Sequence, residues 1–106
     1  MQDNTDLQNY TVEYRKCCEA LNKAYIAEKE AMIAHKTEEA QARIKYWEKL
    51  QIGEITKAIY DESIKNDTFN SKLEYEKAKI SRKLVETHRD SVREKLYTEK
   101  KLYDIQ

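Results

Sequence analysis

The chain has no proline, one glycine (Gly53), one phenylalanine (Phe69) and one tryptophan (Trp47) among its 106 residues. A β-rich fold of this length needs several tight turns, and those normally draw on Gly and Pro. A chain so poor in both has few places to reverse, which points to long helices. Long apolar runs are missing too. Runs such as Ala31-Met32-Ile33-Ala34 reach four residues, far short of a membrane span. Met1-Gln2-Asp3-Asn4 shows neither a basic region nor an apolar segment, so no signal peptide is expected, and a soluble, cytoplasmic protein is the expectation.

Strong bakers of globular cores are also scarce: Leu, Ile, Val and Phe together make 20 of 106 residues. Disordered chains share that poverty but usually carry a strong net charge. Here 20 basic and 20 acidic residues cancel, and charges of opposite sign interleave at helical spacing. Glu13–Lys16, Glu74–Lys77 and Asp90–Arg93 lie three apart; Glu19–Lys23, Glu39–Arg43 and Asp61–Lys65 lie four apart. Each such pair adds roughly 0.2–0.5 kcal/mol to a helix. The sum favours ordered helix over coil. A pI near 6.7 argues against a strongly cationic nucleic-acid binder. Cys17 and Cys18 are the only cysteines; adjacent thiols make no disulfide framework and are expected to sit as small buried groups.

What is present is a stepped apolar stripe. Thr5-Asp6-Leu7-Gln8 has the spacing of a capping box. Leu7, Tyr10, Tyr14, Cys17, Leu21 and Ala24 then advance by three and four, with Cys18, Tyr25 and Met32 alongside. Leu7, Tyr10, Tyr14, Cys18, Leu21, Tyr25 and Met32 are the candidate oligomer seam. Between about 33 and 40 the stripe changes register: Ala40, Ile44 and Trp47 continue one line, and Ile52, Ile55 and Ile59 start another. No Gly, Pro or Asn marks a break there, so the helix is expected to continue. Gly53 is expected to weaken it without ending it. The polar run Lys65-Asn66-Asp67-Thr68-Phe69-Asn70 reads as the turn, and Ser71-Lys72-Leu73-Glu74 as a second capping box.

The expected fold is one all-α domain over 1–106: helix about 5–64, turn about 65–70, helix about 71–104. A helix that long folds back as a hairpin, an antiparallel coiled coil, with a surplus length needing cover from a second chain, so an oligomer is expected. The alternative is a three-helix bundle with a bend near 35–37.

Motifs of catalysis are not found. His35 and His88 match no zinc or di-iron spacing, and no glycine-rich phosphate loop exists. No enzyme, metal or cofactor is expected. Arg43, Lys45, Tyr46, Trp47 and Lys49 form the densest basic-aromatic cluster. Such a cluster can stack bases and neutralise phosphates, or dock a protein. Trp47 lies in line with Ala40 and Ile44 and is expected to pack inward. The leading functional expectation is a non-enzymatic protein-interaction module acting as adaptor, inhibitor or assembly factor. The alternative is a single-stranded nucleic-acid-binding or recombination accessory protein. Small size and richness in Lys, Ile, Asn and Tyr suit a phage or mobile element.

Overall fold

The computed structural model describes residues 5–105, and every regular element among them is helical: α1 Thr5–Gln51, α2 Lys57–Asp67 and α3 Phe69–Ile105. This is the all-α helical-hairpin class that the scarcity of turn formers implied. α1 is continuous through 33–40, so the bend near 35–37 required by the alternative is not there. Good helix formers fill that stretch, and nothing in it deprives the backbone of a hydrogen bond.

Two boundaries differ from expectation. The first helix stops at Gln51, not near 64. Gly53 adopts φ +75°, in the left-handed region that favours glycine. The Glu54 N–H then donates to Lys49 O at 2.9 Å and the Gly53 N–H to Leu50 O at 3.2 Å. These are the two bonds of a Schellman cap, which satisfies carbonyls left over at a helix end. Thr56 opens α2, its side-chain oxygen accepting from the Ile59 N–H.

The expected turn at 65–70 is instead almost all helix, with only Thr68 outside α2 and α3. Helical hydrogen bonds carry across it: the Thr68 N–H donates to Ile64 O and the Lys72 N–H to Thr68 O, both at 3.0 Å. Ser71 therefore lies inside α3 rather than capping it, and its hydroxyl donates back to Thr68 O.

The chain forms two compact units, and both long helices contribute to each. In Ala27–Lys79, Ala42, Tyr60 and Ile64 make a core against which Tyr46, Leu50 and Ile55 pack. Small Ala42 leaves room on α1 for the Tyr60 ring. Contacts descend α1 as they climb the returning chain, from Tyr46 with Asp67 to His35 with Ser71 and Tyr75, so the two strands of the hairpin are antiparallel. In the other unit, Cys17 and Leu21 of α1 and Val92 of α3 are buried. There Tyr25 reaches Arg82 and Glu86, and Glu13 approaches His88, again antiparallel.

Candidate functional site

The side chains nearest to a catalytic arrangement are Ser71, His35 and Glu39. His35 Nδ1 lies 3.0 Å from Ser71 Oγ, and its Nε2 lies 2.8 Å from Glu39 Oε1. These distances suit a nucleophile–base–acid set. The Ser71 hydroxyl also reaches Thr68 O at 3.0 Å, so two acceptors compete for its one hydrogen, and the role of His35 Nδ1 depends on the imidazole tautomer. Ser71 is buried in the first turn of α3. The cluster is a polar tie from α1 to α3. Beside it, an open groove of about 510 Å³ is walled by Ile64, Phe69 and Leu73. Among the described residues no group of His, Cys, Asp and Glu is placed to hold a metal ion.

The basic-aromatic cluster does not share one face. Residues two apart on a helix lie about 200° apart around it, which separates Trp47 from Lys45 and Lys49. Lys45 and Tyr46 converge on Asp67 Oδ2, at 3.3 and 2.9 Å. That hydrogen bond, then the one to Tyr46, raises the Lys45 ammonium above its ordinary value. Arg43 pairs with Glu39 at 3.3 Å. Lys49 is exposed. Two of the three cations thus already face a carboxylate of their own chain.

Of the seven candidate seam residues, Leu21 is buried; Leu7, Tyr10, Tyr14, Cys18 and Met32 are half-buried; Tyr25 is exposed yet bound to Glu86 by its hydroxyl. Cys17, beside them, is buried, and burial, with lesser contributions from Glu13 and Cys18, raises its thiol above the usual value. Among the described residues both cysteines are free thiols.

Trp47 reverses expectation. It does not pack inward but is 54% exposed, its ring edge-on to Tyr60 with centroids 6.5 Å apart. Ile44 beside it is 77% exposed, and Ala40 is exposed as well. The inner face of this part of α1 is His35, Glu39, Ala42, Tyr46 and Leu50, all buried or half-buried. On the opposite side Ile33, Thr37, Ala40, Ile44, Trp47 and Gln51 step by four and three, and every one is exposed. Spacing alone could have found this second series, because both series keep helical periodicity. Which one faces inward is decided by Tyr60 and Ile64, which spacing does not place.

No protein-family model, curated protein or solved structure matches the chain. Nor is any helix among the described residues long and apolar enough to cross a membrane.

Proposed function

We propose that this protein is a non-enzymatic helical module that binds another protein through its exposed helix faces, as an adaptor, inhibitor or assembly factor. The observation that carries the reading is the solvent-facing series on α1, with Ile44 and Trp47 uncovered although buried apolar residues are few. A pair of helices can bury only the stripe each turns to the other. Tyr and Trp on such a surface suit it to protein contact.

Co-purification from the native host tests the reading, with wild type beside an Ile44→Glu, Phe69→Glu double variant and mass spectrometry of what is retained. Ile44 and Phe69 are both mostly exposed, so the fold tolerates the change. A partner retained by wild type and lost by the variant is the expected result; identical retention, or none, overturns it. Quenching of Trp47 by a single-stranded oligonucleotide at low salt, reversed at high salt, would shift the reading to nucleic acid.

A further inference from the structure

We propose that residues 33–51 of α1 pair in parallel, side by side, with the same residues of a second copy of this chain. The inference rests on the interaction-module reading and assigns an occupant to one face of it. Ile33, Thr37, Ala40, Ile44, Trp47 and Gln51 occupy alternating d and a positions of a heptad, all exposed. Ile44, β-branched, falls at an a position, where such residues favour two strands. Ala40 and Trp47 occupy d positions one heptad apart, the first small and the second bulky.

Flanking charges choose the partner and its direction. Lys36 and Arg43 fall at g positions; Gln41 and Glu48 fall at e positions. Parallel copies in register set each g residue beside the e residue five further along the partner. That places Arg43 against Glu48 of the second copy, twice by symmetry, and Lys36 against Gln41. Antiparallel copies would instead oppose Lys36 and Arg43 with the same two cations. The chain's own Glu39 takes only one of the Arg43 nitrogens, Nη2, leaving the rest of its five donors to serve a second carboxylate. A seam this short is weak between free peptides because each must first become helical. Here the opposite face of α1 is already packed on Tyr60 and Ile64, so that ordering is complete before the copies meet.

Sedimentation velocity across a dilution series, with the emission of the single tryptophan read in parallel, tests the pairing. The expected result is a concentration-dependent rise from one chain to two, with Trp47 emission moving to the blue as the dimer forms. Ile44→Glu should hold the protein at one chain while circular dichroism stays unchanged. Glu48→Arg and Arg43→Glu should each weaken the dimer by about 3- to 30-fold, and the double exchange should recover wild-type affinity to within about threefold. A single chain at every concentration overturns the proposal, as does a dimer indifferent to Ile44→Glu or a double exchange that recovers nothing. A monomer that still retains the wild-type partners sinks only the self-pairing. A monomer that retains none sinks the module reading as well.

Discussion

Residues 65–70 read as the place where the first helix should stop, and 52–56 as a stretch it should pass through, yet only 52–56 reverses the chain. Lys65-Asn66-Asp67-Thr68-Phe69-Asn70 has the polar composition of a turn, yet hydrogen bonds at Thr68 keep the returning chain on one course along α1. Ile52-Gly53-Glu54-Ile55-Thr56 has two apolar residues in five and a single turn former. One residue at φ +75° followed by one capping threonine is enough. Turn composition reports only that backbone can leave a helix, whereas a left-handed residue ends one outright.

The comparison can be broken most forcefully downstream of the turn. If the reversal is held by what packs after it, Tyr60→Ala should cost about 3–5 kcal/mol in chemical denaturation, as for other buried aromatics. A cost under about 1 kcal/mol would mean that the cap alone sets the hairpin. Next comes the cap. A Cβ built on Gly53 meets nothing within 4 Å, so Gly53→Val pays only for the left-handed backbone, about 1–2 kcal/mol. Gly53→Asn should cost less than half of that in the same denaturation. Thr68→Val is smaller still. It removes the 2.8 Å bond from the hydroxyl to Ile64 O, but that carbonyl keeps the Thr68 N–H, so about 0.5–1 kcal/mol is expected. Thermal melts showing Thr68→Val worse than Gly53→Val would invert the ranking of the two sites.

The smallest effect is electrostatic. Because the Lys45 pKa is raised in the folded protein, the stability it lends is complete below about pH 10.4, the ordinary lysine value. It fades as pH rises through the higher folded value. The gap in melting temperature between wild type and Asp67→Asn should therefore narrow above that pH. A gap that stays constant to pH 11.5 or so would remove the Lys45–Asp67 pair from the account.

Much of α1 was legible. The stepping of Leu7, Tyr10, Tyr14, Cys17, Leu21 and Ala24 follows the face that the structure covers, and the continuity of 33–40 followed from good helix formers. The end of α1 was not, because a glycine inside a helical pattern is ambiguous until its φ is known. Nor was the inward face of 33–51. Ile44 and Trp47 are more hydrophobic than Ala42 and Tyr46, and apolar content alone would bury the wrong pair. Tyr60 needs a small neighbour, and Asp67 offers Tyr46 an acceptor, so the less apolar series goes inside. Ser71 shows the same dependence: its capping-box spacing was real, but the backbone bonds through Thr68 had already placed it within a helix.

Local chemistry along the chain determined that it is helical and sparsely cored, since propensity, charge spacing and the lack of turn formers act within a few residues. Where it doubles back, and which of two equally periodic stripes on α1 meets solvent, was decided only when α2 came to lie on α1. Those choices depend on whether one glycine turns left-handed and on how a tyrosine ring fits beside an alanine, and both are settled by contacts between residues far apart in the chain.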